Sequence, residues 1–475
     1  MVDLPDLVDG VPALTIDGGP VRPPSTFDVL DPATEKSVAR APLARGEDLD
    51  RAFDAALRAF PVWSLRDDVR RVALLAASDV VADAALPLAD ILTAEQGKPL
   101  PDAVREVHAA AAWLRYYADL PLDREVVHDD GRRYAEVAHR PIGPVAVITT
   151  WNFPLVLAAS RIAPALRAGN TVVLKPSPHT PLASLAFGAL LRDRLPDGVL
   201  NVLSGGDRLG AAVSVHPLAR KVCFTGSVSA GKEVAAGVAP DLKRLSLGLG
   251  GNDAALVLDD ADPATTAPKL FAAAFRNNGQ TCVAPKRVYA SRAVFRPLVR
   301  ALADLAGGTE VGDGKDTGTE LGPVTTCAQW KRVSGLVADA LSRGAVAVSG
   351  GRPSAGPGYF FRPTVLMGAE DGTAVVDEEQ FGPVLPVIAF DDLDDAVNRA
   401  NATHYGLGAS VWSSDPERAL AVGRRLDSGT CWVNDHGTIE LHLPFRGSKW
   451  SGLGTGGGLW GLRSFTTPQL LYRPN

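Results

Sequence analysis

Cys282 lies in the run Phe275-Arg-Asn-Asn-Gly-Gln-Thr-Cys282-Val-Ala-Pro-Lys-Arg287. A thiol behind a polar Asn/Gly/Gln loop, with Lys286 and Arg287 close after it, is in the kind of setting that favours a nucleophilic thiolate. Taken alone the segment equally suits a structural cysteine, because buried, inert Cys is the commoner fate. The other three cysteines offer less. Cys223 sits in an apolar strand-like run, and Cys327 and Cys431 lack a comparable polar setting. The four are far apart with no CxxC pair, so they read as reduced thiols of a cytosolic protein and not as a disulfide frame. No metal site is expected.

Two glycine-rich segments suggest phosphate chemistry. Gly226-Ser-Val-Ser-Ala-Gly231-Lys232 follows an apolar run and opens a helical one, close to a P-loop in letters. Glu233 stands where a P-loop needs a Mg²⁺-binding hydroxyl, so nucleotide hydrolysis is excluded, while a dinucleotide pyrophosphate remains compatible with a helix N-terminus. A ligand-free strand–helix turn is the alternative. Gly452-Leu-Gly454-Thr-Gly-Gly457 matches GxGxxG, but no strand leads into it, and it reads as a false positive.

The elements that must position these residues follow from periodicity. Leu49–Phe60, Val69–Leu86 and Asp102–Leu120 carry helical spacing. Asp129-Asp130-Gly131 reads as the turn of a hairpin within Asp123–Arg140. From Pro144 the chain alternates. Strands are expected at Pro144–Thr149, Thr171–Leu174, Val199–Leu203 and Lys221–Thr225, with helices at Leu155–Leu166, Leu182–Leu195, Leu209–His216 and Ala230–Ala239. Short buried strands alternating with helices imply a parallel, doubly wound sheet whose ligand lies beyond the strands' carboxyl ends. A second α/β pattern starts near Asn252, with strands at Ala254–Leu258, Arg287–Ala290 and Val384–Ala389. Phe465–Tyr472 reads as an exposed strand that completes a neighbour's sheet.

With 475 residues the chain exceeds one core, and 46 % hydrophobic and 21 % charged residues is ordinary globular usage. A net charge of −6 gives no footprint for nucleic acid. No apolar run is long enough for a membrane span, and the acidic start MVDLPDLVDG does not resemble a secretory signal. A cytoplasmic protein is expected.

Thr150-Trp-Asn-Phe-Pro154, Lys175-Pro-Ser177, Phe224-Thr-Gly-Ser227, Asn278-Gly-Gln-Thr-Cys282, Glu379-Gln-Phe-Gly-Pro383 and Pro444-Phe-Arg-Gly-Ser-Lys-Trp-Ser-Gly452 occur in this order. Together they resemble the signature series of the aldehyde dehydrogenase superfamily, across nearly the whole chain. The resemblance implies a Rossmann-like parallel-sheet cofactor domain (residues 1–118 and 141–250), an α/β catalytic domain (251–450) and a small β oligomerisation element (119–140 and 462–475). It further implies NAD or NADP as cofactor, a small-molecule aldehyde as substrate, and a homodimer or homotetramer. Cys282 would be the nucleophile, and Asn152 with the Cys282 backbone N–H would hold the oxyanion of a thiohemiacetal that loses hydride to become a thioester. Thr150, Trp151, Lys175, Ser177, Gly206, Gly226, Ser227, Leu249, Glu379 and Phe381 would bind the cofactor. Phe153, Leu157, Ser160, His436, Ile439 and Phe445 would line the substrate pocket.

Departures from the family pattern bear on the second half of the reaction. The family's Glu-Leu-Gly-Gly, whose glutamate activates water, reads Gly248-Leu-Gly-Gly251 here, and a second relay glutamate falls on Gly456. Loss of a general base removes about 10²–10⁴ in rate. Oxidation should survive and thioester hydrolysis should suffer. Three explanations stand: another group activates water, with Asp435, His436, Glu440 and His442 as candidates; another nucleophile such as coenzyme A or a substrate amine takes the acyl group; or the chain is a slow or non-catalytic relative. Pro178 replaces a carboxylate that grips the adenosine ribose, which admits NADP. Arg446, in place of a glycine, is a surface residue or an added cation suited to an acidic substrate. Ser160, where relatives carry a large aromatic, suggests a roomier pocket.

Overall fold

The structure, a computed structural model, describes residues 11–474; the acidic N-terminal stretch lies outside the described residues. Two parallel sheets organise the chain. The first is built on β1 (Pro144–Ile148), β2 (Thr171–Lys175), β3 (Leu200–Val202), β4 (Lys221–Thr225) and β5 (Arg244–Gly248). Their spatial order is β5-β4-β1-β2-β3, all parallel, extended beyond β3 by the short strands Leu14–Ile16 and Gly19–Val21. The chain winds one way from β1 through β3 and then returns to the other side of β1 for β4 and β5. That reversal is a topological switch point, where loops leaving neighbouring strands diverge and open a crevice. The loops at this point are Thr149–Phe153 after β1 and Gly226–Ser227 after β4.

Helices cover both faces: α1 (Leu100–Asp119), α2 (Pro154–Arg167), α3 (Leu182–Arg192), α4 (Asp207–Val215) and α5 (Val228–Val238). Strands β1 and β2 (PVAVI, TVVLK) are rich in β-branched residues and buried at every position, which requires cover on both faces. Strand β5 escapes the periodicity reading, since Arg244-Leu-Ser-Leu-Gly248 is short and half polar. Its other edge pairs antiparallel with Gly452–Leu453, placing Gly248 opposite Gly452. The glycine-rich C-terminal segment thus closes the edge of the first sheet beside the switch point.

The second sheet runs Val346–Ser349, Thr364–Met367, Val384–Phe390, Pro285–Ser291, Asp253–Val257, Gly408–Trp412, Thr430–Val433, parallel except at its first pair. A third sheet joins the hairpin Glu125–Asp129/Arg133–Pro141 to the C-terminal strand Thr466–Pro474. The tail strand therefore pairs along its whole length with Arg133–Pro141 of its own chain, which corrects the expectation that it is unpartnered within the subunit. Its outer edge stays open. Among the described residues no single helix is long and apolar enough to cross a membrane.

Candidate active site

A cleft of about 510 Å³ opens at the switch point between the two large sheets. One wall comes from the first sheet: Thr150, Trp151, Asn152, Phe153 and Leu157 after β1, and Thr225–Ser229 at the entry to α5. Gly248 at the end of β5 and Leu249 and Gly250 after it continue this wall. The other wall carries Cys282, Glu379, Phe381 and three residues that the motif reading did not single out, Gln329, Arg332 and Tyr405.

The loop before Cys282 is held by an asparagine-rich network. Asn277 and Asn278 take positive φ of 50° and 58°, a conformation that Asn tolerates better than most residues. Asn277 Nδ2 donates to the Asn152 carbonyl at 2.9 Å, and Asn277 Oδ1 accepts from Gln96 Nε2 at 3.1 Å. A Cβ on Gly279 would lie 2.1 Å from the Gly382 carbonyl oxygen, so only glycine lets the Glu379–Pro383 loop close on the Cys282 loop. Asn152 is buried. Its Nδ2 donates to the Gln280 carbonyl at 2.8 Å, and its second N–H bonds no described residue. That leaves one side-chain donor beside Cys282 for a ligand oxygen.

Burial pushes the Cys282 thiol up to about 12, with the Glu379 and Asp253 carboxylates adding to the shift and Lys286 opposing it. That direction runs against the expectation of a thiol activated by two adjacent cations. Only Lys286 lies near, its Nζ donating to the Gly279 carbonyl. Arg287 turns away and donates to the Asn252 and Ala400 carbonyls. Glu379 is itself pushed up to about 7, chiefly by burial. Its Oε1 accepts the Gly251 N–H at 3.1 Å, and a Cβ on Gly250 would lie 2.0 Å from its Oε2. A glutamate seated on backbone across the cleft from Trp151, whose ring packs edge-on to Phe381 at 5.4 Å, makes a polar and aromatic grip.

The dinucleotide fit rests on two observations. The α5 N-terminus, capped by Ser227 Oγ accepting from Ala230 N at 3.3 Å, opens on the cleft with free N–H groups. Lys175, buried at the carboxyl end of β2, makes no side-chain hydrogen bond among the described residues, and burial pushes it down to about 8. A buried amine without a partner is expensive unless a ligand oxygen completes it. Ser177 follows it, its Oγ accepting from His179 N, and Gly206 caps α4 nearby. These three stand at strand ends beside the cleft without lining it. Lys232, exposed, lies over the Trp450 ring at 3.3 Å.

The expected substrate-side residues divide. Phe153 and Leu157 line the cleft. Ser160 does not; its hydroxyl donates to the Leu157 carbonyl of its own helix. His436 is sealed in the second sheet, with Nδ1 2.8 Å from Ser410 Oγ and Nε2 3.6 Å from Asp253 Oδ2, which corrects its reading as a water activator facing the cleft. Ile439 and Glu440 are exposed. Phe445 instead bridges to Gly456 and walls a small hollow behind Gly248, together with Arg161 and Arg446.

Residues that sequence patterns gave no reason to select hold the site from behind. Lys98 Nζ pairs with Glu106 and donates to the Asn152 carbonyl at 2.8 Å. Glu106 Oε1 accepts the Leu155 and Val156 N–H groups at the start of α2, and Glu95 does the same for Leu182 and Ala183 at the start of α3. Among the described residues no group of three or more His, Cys, Asp or Glu gathers as a metal set.

The sequence profile described as the Aldehyde dehydrogenase family matches residues 21–471. An aldehyde dehydrogenase of a Fusarium species is 36 % identical, over 96 % of this chain and 97 % of that one. A succinate-semialdehyde dehydrogenase of Paenarthrobacter nicotinovorans is 37 % identical, over 90 % and 97 %. Among solved structures, the NAD⁺ complex of an aldehyde dehydrogenase from Bacillus cereus superposes with a TM-score of 0.96 at 32 % identity, over 98 % and 97 % of the two chains.

Proposed function

Because the chain belongs to the aldehyde dehydrogenase family and is an NAD(P)-dependent oxidoreductase, we propose that it oxidises its aldehyde through a thioester on Cys282 and releases the acyl group without a glutamate base. The single observation that carries the reading is the convergence of Cys282, the free Asn152 amide N–H and Gly248 on one cleft.

Cys282 Sγ attacks the aldehyde carbon, and the Asn152 amide with the Cys282 backbone N–H receives the oxygen as it gains charge. The nicotinamide, when bound, supplies the acceptor for two electrons and a hydrogen. Lys175, Ser177, Gly206, Gly226, Ser227 and Leu249 seat the dinucleotide, Glu379 and Phe381 grip its nicotinamide end, and Thr150 and Trp151 wall it. Glu379 has a second effect: its charge adds to the burial that disfavours the Cys282 thiolate, so drawing it away from the thiol removes that part of the shift. Phe153 and Leu157 exclude water around the aldehyde. Among the described residues no carboxylate stands at position 248, and Glu379, which lines the cleft, accepts the Gly251 N–H, so deacylation limits turnover.

Rapid mixing of the protein with an aldehyde panel and NAD⁺ or NADP⁺ tests this. The expected record is a burst of about one reduced cofactor per site followed by slow turnover, because an absent general base costs roughly 10²–10⁴ in the second step. Fast linear turnover without a burst would remove the claim of limiting deacylation. Acceleration by coenzyme A would identify an acylating enzyme. Absence of any reduced cofactor with Cys282 intact would favour a binding protein on this fold.

A further inference from the structure

The space that two glutamates would fill is walled instead by a cation. A Cβ built on Gly248 lies 3.5 Å from Arg161 Nη2 and 3.6 Å from Thr225 Oγ1, and a Cβ built on Gly456 lies 2.9 Å from Arg161 Nη1. The guanidinium therefore stands between the two glycines. Neither has a positive φ, so backbone strain does not demand glycine at either position. Phe445 pairs with Gly456 by two backbone hydrogen bonds of 2.8 Å and forms the far wall. The hollow measures about 20 Å³, room for a carboxyl group or a pair of waters and too little for a phosphate ester.

Among the described residues nothing neutralises this charge. Arg161 makes no ion pair and no side-chain hydrogen bond among the described residues. Its neighbours are cations too: burial pushes Lys221 down, with Arg161 and Arg244 adding to the effect. Lys221 and Arg244 are satisfied by the Ser464 and Thr466 carbonyls, and Arg446 lines the same hollow. A fork of donors with no acceptor, half withdrawn from solvent, matches the geometry of a carboxylate. Gly248 lines both the hollow and the cleft that holds Cys282, so the two spaces meet there.

We infer that this hollow is a carboxylate-binding site in which Arg161 holds a carboxylate supplied from outside the chain, at the place of the missing side-chain base. The inference rests on the thioester reading above. The bound carboxylate accepts a proton from water while the water oxygen bonds to the thioester carbon. The C–S bond then breaks, sulfur leaves as the Cys282 thiolate and recovers the proton from the carboxylic acid, and the product acid loses its own proton to solvent. Two sources fit the same chemistry: a small free carboxylate, or the far end of an aldehyde that carries one.

Stopped-flow turnover of the full chain with propanal and NAD(P)⁺ tests the site, with sodium formate or acetate titrated against chloride at constant ionic strength. The expected result is a saturable rise in the steady rate of about 10-fold to 100-fold, part of what a positioned base supplies, at constant burst amplitude. Arg161→Gln should abolish saturation and Arg161→Lys retain part of it. Gly248→Glu should turn over quickly and ignore formate. In a second arm, 4-oxobutanoate without added anion should turn over faster than propanal, and Arg161→Gln should raise its KM selectively. Formate response in the first arm assigns a free anion, and the second arm alone assigns the substrate's own carboxylate. A burst with neither response overturns the carboxylate site while leaving the thioester intact; fast turnover without a burst or an anion response also overturns the site, and no reduced cofactor at all overturns both.

Discussion

The Cys282 thiol is reactive only if something lowers it, because burial and two carboxylates set it near 12. Below that value the thiolate fraction grows about tenfold per pH unit. Alkylation of Cys282 by iodoacetamide, followed by peptide mass spectrometry without cofactor, should therefore climb steadily from pH 7 to 10; a plateau by pH 8 would contradict the burial argument. Glu379 is charged above about pH 7 and its charge favours the protonated thiol. Glu379→Gln should then speed alkylation at pH 8.5, the opposite of what loss of a general base would do. Asn152 keeps a side-chain N–H without a partner among the described residues, in the cleft that holds Cys282. Asn152→Ala should slow the burst by about 10²–10³, the usual loss for an oxyanion donor, with cofactor affinity measured by fluorescence titration little changed.

At the scale of elements, the site depends on where two loops are tied to helices. Glu106 satisfies the first N–H groups of α2 and pairs with Lys98, which in turn holds the Asn152 carbonyl. Breaking a buried pair from one side leaves an uncompensated charge and costs roughly 3–5 kcal/mol. Glu106→Ala should lower the urea midpoint accordingly and slow the burst, although Glu106 touches no substrate. Gly279→Ala should do similar damage through its clash with Gly382. These ties explain what the sequence made legible. The βαβ alternation from Pro144 and the loops that end β1 and β4 follow from apolar periodicity, so the cleft's first wall is readable. Cys282, Asn152 and Glu379 stand in short local motifs and are readable by resemblance. Lys98, Glu95 and Glu106 look like ordinary polar residues of a helical stretch; only the packing of α1 on α2, and of helix Ala85–Gln96 on α3, shows that they face inward. His436 and Arg161 fail for the same reason in opposite directions. A polar loop residue proves buried, and a helical arginine proves to wall the hollow left by two distant glycines, whose approach depends on a two-residue strand pairing that no periodicity signals.

At the scale of the whole molecule, the tail strand presents an unfinished edge. In the three-stranded sheet the C-terminal strand Thr466–Pro474 is an outer edge, and Leu470, Leu471 and Tyr472 are 61 %, 44 % and 56 % exposed along it. A nine-residue edge with apolar side chains open on both faces is what proteins otherwise blunt with charge, proline or a covering element. Pro468 and Arg473 blunt it only near its ends, which leaves the middle free to add strands from another subunit. Because the strand is already paired with Arg133–Pro141, the expected contact is edge-to-edge extension of a finished sheet and not exchange of the tail. The chain should assemble as a homodimer or homotetramer through this edge. Light scattering at micromolar concentration should give a multiple of 49.8 kDa, and Leu470→Lys with Tyr472→Lys should reduce it to the monomer. The burst at Cys282 should persist in that variant, because no residue of the strand lines the cleft. If the doubly charged variant keeps its size, assembly uses another face and the exposed tail edge has a different partner.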